Sequence, residues 1–316
     1  MFGSIIRAHR RRRIERAIAD LKRATVRDVM STYIITIRPD ETIVAAATKM
    51  IAEAISCLVV MDNDRLSGIV TERDFLRKVP FDTRSLRLRV RDVMTADVVT
   101  AAPDTPLVTA VRMMREKGFR RVIVTEGPRV VGVVTQNDLM RRAALIAYPV
   151  SPELSIGAFM VKDVLTAAPN ESFSRARERM RKRGVGCIVI ADRGRPLGIF
   201  TEYDAVSQFY EQKGRLRVRE LEMFMRKHVR ALPAVTNAFV AIRFLLEKGI
   251  RRIPVADGDR IVGIVTETDL VRFLYLNLDK VLAAAERKDA DIRRMPRHVE
   301  FHGEFRGDHL KVYGLA

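Results

Sequence analysis

Apolar and polar positions along this chain change period in the same order four times. In the second stretch, VVTAAP at residues 98–103 reads as a strand stopped by proline, and Asp104-Thr105-Pro106 reads as a helix start. Leu107, Ala110, Val111 and Met114 recur at helical spacing, up to Lys117-Gly118, a terminal cation followed by a left-handed cap. Val122-Ile123-Val124 predicts a strand, Glu126-Gly127-Pro128 a turn, and residues 130–135 another strand, after which Asp138 opens a second helix as its cap. The fourth stretch repeats this order: helix over 238–248, Gly249, strand at Ile253-Pro254-Val255, turn at Asp257-Gly258-Asp259, strand over 261–266. The first and third follow, with Ala54 and Gly184 at the cap position. The strand runs are apolar on both faces, as expected where helices cover one face and a partner unit the other. The fold class predicted is α/β of the α+β type.

One phrase marks every unit. Gly-apolar-apolar-Thr-x-x-Asp occurs as GIVTERD at 68–74, GVVTQND at 132–138, GIFTEYD at 198–204 and GIVTETD at 263–269. Met30, Met94, Met160 and Met225 each lie 41 residues before the corresponding Thr. Fixed internal spacing of this kind identifies repeats. A unit of about 60 residues buries too little surface to be secure alone, so pairing is expected. After the helix cap, repeats 2 and 4 carry Arg120-Arg121 and Arg251-Arg252, whereas repeats 1 and 3 carry Ser56-Cys57 and Gly186-Cys187. That alternation predicts pairs 1+2 and 3+4, with a linker at 146–153 that Pro149 and Pro152 interrupt. The organisation expected is an arm at 1–25, repeats at 26–80, 87–145, 153–212 and 216–278, and a tail at 279–316.

With ITIRP at 35–39, VTAAP at 99–103 and LTAAP at 165–169 ahead of the closing phrases, the units resemble cystathionine-β-synthase (CBS) domains. Four of them resemble two pseudo-twofold Bateman modules forming a disc, over about residues 26–278. The resemblance implies clefts for adenine nucleotides or related adenosyl ligands. On it, Asp74, Asp138, Asp204 and Asp269 would accept ribose hydroxyls, and Thr71, Thr135, Thr201 and Thr266 would serve the phosphate side at a helix start. Thr100 would complete the second cleft, and Arg120, Arg121, Arg251 and Arg252 would add cations. In repeat 4, Ala231 replaces the strand Thr and Pro233 comes one residue early, which weakens the adenine site there. Two alternatives stay open at this point. Thr-x-x-Asp is also a helix N-cap arrangement, and the arginine pairs have an outward orientation available, toward a polyanion.

Charge adds a second theme. The 316 residues include 57 basic and 39 acidic side chains, a net charge of +18. Mixed surface ion pairs explain the abundance of charge but not the imbalance, which attracts polyanions. In the arm, Arg7, Arg10, Arg11, Arg12, Arg13, Arg16, Lys22 and Arg23 face only Glu15 and Asp20, while Ile14, Ile18 and Leu21 share one helical face. This basic amphipathic helix suits nucleic acid, an anionic membrane or docking onto the repeats. Arginine forks favour phosphates and stacked bases, hence RNA as the partner adopted.

Cys57 and Cys187 sit in apolar runs and read as small buried hydrophobes, with no disulfide framework. No apolar run reaches membrane-spanning length and no signal peptide is evident, so the expected location is cytoplasmic, without a membrane partner. The alternating tail sequence HVEFHGEFRGDHLKVYG predicts a hairpin, and His298, Glu300 and His302 do not form a metal motif. There is no P-loop, and Gly184-Val185-Gly186 lacks dinucleotide spacing, so no enzyme is expected. The chain is similar to archaeal CBS-only proteins that associate with ribosomal subunits as dormancy factors. The function implied is a non-enzymatic regulator that binds RNA on the ribosome and inhibits translation, tuned by adenine nucleotide. The alternative is an AMP, ADP or ATP energy sensor acting on a partner enzyme or transporter. No cofactor is required on either reading, and the particle is a monomeric disc or a homodimer.

Overall fold

The computed structural model describes residues 16, 19–144, 154–213, 220–227 and 229–277, with the backbone of two strands near the C-terminus. In the first repeat β1 (Thr36–Ile37) runs parallel to β2 (Cys57–Asp62), which is antiparallel to β3 (Arg65–Thr71). Helix α1 (Ile43–Ala52) connects β1 to β2, and α2 (Glu72–Lys78) follows β3. The second repeat has β4 (Thr100–Ala101), α3 (Leu107–Lys117), β5 (Arg121–Glu126), β6 (Arg129–Thr135) and α4 (Gln136–Ala143). The third has β7 (Thr166–Ala167), α5 (Phe173–Arg183), β8 (Cys187–Asp192), β9 (Arg195–Thr201) and α6 (Glu202–Glu211). The fourth has β10 (Arg226–Lys227), β11 (Leu232–Pro233), α7 (Ala238–Lys248), β12 (Arg252–Asp257), β13 (Arg260–Thr266) and α8 (Glu267–Leu276). The mixed α/β architecture is the one expected.

Caps follow the sequence chemistry. Gly118, Gly184 and Gly249 end α3, α5 and α7 with φ of 69°, 67° and 61°. Ala54 holds the same place in the first repeat at φ 51°, a region that costs a residue with a Cβ about 1–2 kcal/mol.

The two modules are held by exchanged leads. Ser31 of repeat 1 bridges Val133 of repeat 2, and Thr95 of repeat 2 bridges Ile69 of repeat 1. Val161 of repeat 3 bridges Ile264 of repeat 4, and β10 of repeat 4 pairs with Gly198 and Ile199 of repeat 3. The methionine of each lead covers the glycine of its partner's closing phrase. A Cβ on Gly132 would lie 2.8 Å from Met30 Sδ, and one on Gly68 3.0 Å from Met94 Sδ. Met225 stands over Gly198 and Met160 over Gly263 in the same way. Pairs 1+2 and 3+4, expected from the alternation, are therefore the ones formed. Val59, Ile69, Ile123 and Val133 pack between the sheets of the first pair.

Between modules the helices meet, repeat 1 on repeat 3 and repeat 2 on repeat 4. Phe75 on α2 contacts Phe209 on α6 edge-on at 5.5 Å, and Phe81 packs on both Phe209 and Phe173. Tyr275 on α8 donates a hydrogen bond to the Leu139 carbonyl on α4 at 3.0 Å. Leu21, expected on the apolar side of the arm, is buried in this second helical layer. Arg16, Lys22 and Arg23 are exposed. Arg7, Arg10, Arg11, Arg12, Arg13, Ile14, Ile18, the linker at 146–153 and the His298-to-His302 segment lie outside the described residues. The tail hairpin is present, with β14 (Gly303–Arg306) antiparallel to β15 (His309–Val312).

Three expectations need correction. Asp138 is not the cap of α4: Thr135 is the N-cap and Asp138 stands three residues on, because the pair closes a capping box. The cysteines are only partly buried. The strand of repeat 4 starts at Leu232 rather than at Ala231, because Pro254 has no N–H. In the other repeats that N–H donates across, as from Val189 to the Leu165 carbonyl.

Candidate nucleotide clefts

Each strand-to-helix junction is the same device. Thr71 N and Oγ1 both donate to Asp74 Oδ2, at 2.9 and 2.7 Å. Thr135 with Asp138, Thr201 with Asp204 and Thr266 with Asp269 repeat this, with hydroxyl distances of 2.7, 2.6 and 2.7 Å. Of the two readings of Thr-x-x-Asp, the capping box is realised four times. The four Thr hydroxyls donate inward to a carboxylate.

The second oxygen of each Asp separates the clefts into two kinds. Asp74 Oδ1 accepts from Thr95 Oγ1 at 3.1 Å and from Lys78 Nζ at 2.9 Å. Asp204 Oδ1 accepts from Arg226 Nε at 2.8 Å. Both carboxylates are buried, and each already takes an internal donor on its second oxygen. Among the described residues, no side chain takes the second oxygen of Asp138 or Asp269. Asp138 lines a cavity of about 350 Å³ and Asp269 one of about 210 Å³.

Each of these clefts is built mainly by the two repeats of one module, with side chains of the other module completing its wall. Asp138 of repeat 2 faces Tyr33, Ile34 and Ile35 of repeat 1, because the Ser31–Val133 bridge carries that segment across. Asp269 of repeat 4 faces Val161, Val164 and Leu165 of repeat 3. Thr100 therefore does not complete the Asp138 cleft; it lies exposed on β4, paired with Ile123. For the same reason the departures at Ala231 and Pro233 leave the Asp269 cleft untouched and fall beside Thr201 of repeat 3. Cys57 and Cys187, read as core, occupy equivalent places in the walls of the two clefts.

The arginine pairs point inward, not outward. Arg121 donates to the Ser56 carbonyl at 2.9 Å and to Ser56 Oγ at 3.3 Å, and Arg252 donates to the Gly186 carbonyl. The alternation of Arg-Arg with Ser/Gly-Cys is thus a set of contacting partners within each module. Arg120 and Arg251 reach across the modules. Arg251 forms a two-pronged pair with Glu72, and Arg120 pairs with Glu202, which Arg73 also contacts at 3.2 Å.

These polar residues were not singled out in the sequence. Glu72, Gln136, Glu202 and Glu267, three acids and one amide, each follow the Thr of the closing phrase, and all four are buried. Their recurrence one residue after Thr was the available signal. Burial pulls Glu202 upward, but Arg120, Arg252 and Arg73 outweigh it and hold the carboxyl at about 2. Burial pushes Arg120 down to about 10 despite Glu202. Glu267 stands above its ordinary range because desolvation exceeds the help of Asn137, which donates to it at 3.2 Å, and of Arg251. Arg120, Gln136, Arg251 and Glu267 line both open clefts, which therefore share one charged wall.

No helix among the described residues is long and apolar enough to cross a membrane. The uncharacterized protein MJ1404 of Methanocaldococcus jannaschii is 28% identical over 268 residues, 79% of this chain and 61% of that protein's length. An uncharacterized 33.4 kDa protein in the ribosomal RNA operon of Thermofilum pendens is 28% identical over 178 residues, 52% of this chain and 58% of that protein. The crystal structure of MJ1225 from Methanocaldococcus jannaschii superposes with a TM-score of 0.71 at 19% identity, over 79% of this chain and all of that one, which is a likeness of fold. The CBS domain model matches at residues 26–80, 90–145, 156–211 and 218–276, and the chain belongs to the CBS-domain family.

Proposed function

We propose that this chain is a non-enzymatic, cytoplasmic adenine-nucleotide sensor whose ligand occupies the clefts of repeats 2 and 4. The observation that carries this reading is that Asp138 and Asp269 each keep one carboxylate oxygen for a ligand beside buried arginines. The ribose hydroxyls can donate to the two lone pairs of that one oxygen, and Arg120, Arg121 and Arg251 offer charge-assisted bonds to phosphate. AMP, ADP, ATP and other adenosyl compounds share this chemistry, and CBS domains commonly bind adenosyl ligands. Arg120 and Arg251 also tie the modules together through Glu202 and Glu72. A phosphate that recruits them competes with those ties, so occupancy biases the disc and, through it, a partner.

Calorimetry with AMP, ADP, ATP and S-adenosylmethionine tests the reading. Asp138→Asn and Asp269→Asn should each weaken the best ligand by about 1–3 kcal/mol at one site. Absence of binding by all four compounds to the wild type sinks it.

A second reading, RNA binding at the ribosome with translation inhibited there, has its own support. The net charge is +18, Arg16 and Arg23 are exposed, and α5 turns Arg175, Arg181, Lys182 and Arg183 to solvent. Similarity to a protein in a ribosomal RNA operon points the same way. Deleting residues 1–25 should weaken ribosome co-sedimentation and flatten its salt dependence, since each phosphate contact contributes roughly 0.9 to the log–log slope. Co-sedimentation unchanged at every salt concentration removes the arm from the interface.

A further inference from the structure

The cleft beside Thr201 has a different chemistry from the two above. Its cavity measures about 580 Å³ and is lined by Arg226, Lys227, Arg230, Lys248, Arg251 and Arg252, with no acidic residue in the wall among the described residues. Three acids act on these cations from behind: Asp204 on Arg226, Glu72 on Arg251, and Glu202, shared with Arg120 and Arg73, on Arg252. Six cations against three acids still leave an excess of positive charge at the cavity. Arg230 Nη1 is buried there with no hydrogen-bond partner among the described residues. A buried donor of that kind is costly unless a ligand satisfies it.

The sequence explains how this wall arose. Pro254 withholds the N–H that would bind the Arg230 carbonyl, so residues 229–231 stay outside the ladder and β11 begins at Leu232. The departures at Ala231 and Pro233 fall in the same segment. Arg226 donates to Asp204 and lies over the Tyr203 ring at 5.2 Å, so a guanidinium stands where ribose hydroxyls would meet that carboxylate. The N-terminus of the ten-residue helix α6, at Thr201, adds a further preference for negative charge.

We propose that the repeat-3 cleft is a polyphosphate site, taking a compact chain of phosphoryl groups and not an adenosyl group. Phosphates bridge Arg230, Lys227 and Lys248, with Arg226 and Arg252 closing the sides. The chain comes either from inorganic polyphosphate or from the tail of a nucleoside triphosphate whose nucleoside stays outside. The inference does not rest on adenosyl binding at Asp138 and Asp269.

The test is calorimetry of the full chain with tripolyphosphate, ATP and adenosine. Tripolyphosphate should bind with one site per chain, and Arg230→Gln and Lys248→Gln should each weaken it by roughly tenfold or more. Asp138→Asn and Asp269→Asn should leave it unchanged. Lys227 and Lys248 are exposed, so K227Q and K248Q carry the test if R230Q does not fold. ATP weakened by the same variants identifies the triphosphate tail as a source; ATP unaffected by them identifies inorganic polyphosphate. Adenosine should be indifferent to all three. No tripolyphosphate binding, or binding lost in D138N or D269N instead, overturns the proposal. So does tighter binding of a single-stranded oligoribonucleotide lost in the same variants, which would make the cleft a nucleic-acid contact. AMP, ADP, ATP and S-adenosylmethionine all failing at the other clefts while tripolyphosphate binds here would reject only the sensor reading.

Discussion

Arg251 of the fourth repeat places its two terminal nitrogens on the two carboxylate oxygens of Glu72 in the first, at 2.6 and 3.0 Å. Desolvation pulls this guanidinium down, yet Glu72 holds it above its ordinary value. Arg120 with Glu202 is the same relationship turned through the pseudo-twofold axis. The pairs join repeats that sheet pairing does not join, and they sit in the walls of the clefts. Stability and ligand response thus depend on the same side chains.

Removing one partner of such a pair should be costly. Arg251→Met leaves Glu72 buried and unpaired, and should destabilise by about 3 kcal/mol. Glu72→Met combined with Arg251→Met should recover much of that loss. A double-mutant cycle by urea unfolding measures the coupling; a coupling near zero would show that the two groups do not act as a pair.

The methionine-over-glycine contacts give a test of the exchanged leads. Gly132→Ala should cost about 1–3 kcal/mol, because its Cβ meets Met30 of the other repeat. Met30→Ala should relieve part of that cost, whereas Met94→Ala, in the same repeat as Gly132, should not. Thermal melts of the three single variants and of Gly132→Ala combined with each methionine change distinguish the two pairings.

Glu202 and Glu267 should titrate with opposite sign. Glu202 is depressed to about 2, so its contribution is present above the ordinary glutamate value of about 4.3 and fades as pH falls toward 2. Glu202→Gln should therefore be less stable than wild type at neutral pH, with the gap closing in acid. Glu267 is raised, so its favourable contribution is present below about 4.3 and lost as pH rises through its folded value. Glu267→Gln should gain on wild type as pH rises. The equivalent residue of repeat 2 is already Gln136, bonded to Thr268 at 2.8 Å. Denaturant midpoints from pH 3 to 8 check both signs.

Ala54 offers a stabilising change. At φ 51° its Cβ is strained, whereas glycine occupies the equivalent caps at 118, 184 and 249. Ala54→Gly should raise stability by about 0.5–1 kcal/mol, the strain relieved less the entropy of glycine. A lower melting temperature would show that the strain is relieved elsewhere.

The sequence by itself determined the repeats, their internal order of elements, their caps and their pairing. Those follow from local chemistry, such as Gly249 after α7 or Thr266-x-x-Asp269 closing a box, and from patterns that recur at fixed spacing. Even the alternation of Arg121 with Ser56 was visible, although its meaning as a contact was not. Tertiary structure decided which residues share a cleft. Thr100 and Asp138 are near in sequence yet belong to different walls, because exchanged leads carry residues 31–35 across to repeat 2. It also decided which carboxylates are available, since Thr95 and Arg226 fill Asp74 and Asp204 from the neighbouring repeat. A repeat's sequence specifies its own hydrogen bonds; only the assembled disc specifies which of its polar groups remain for a ligand.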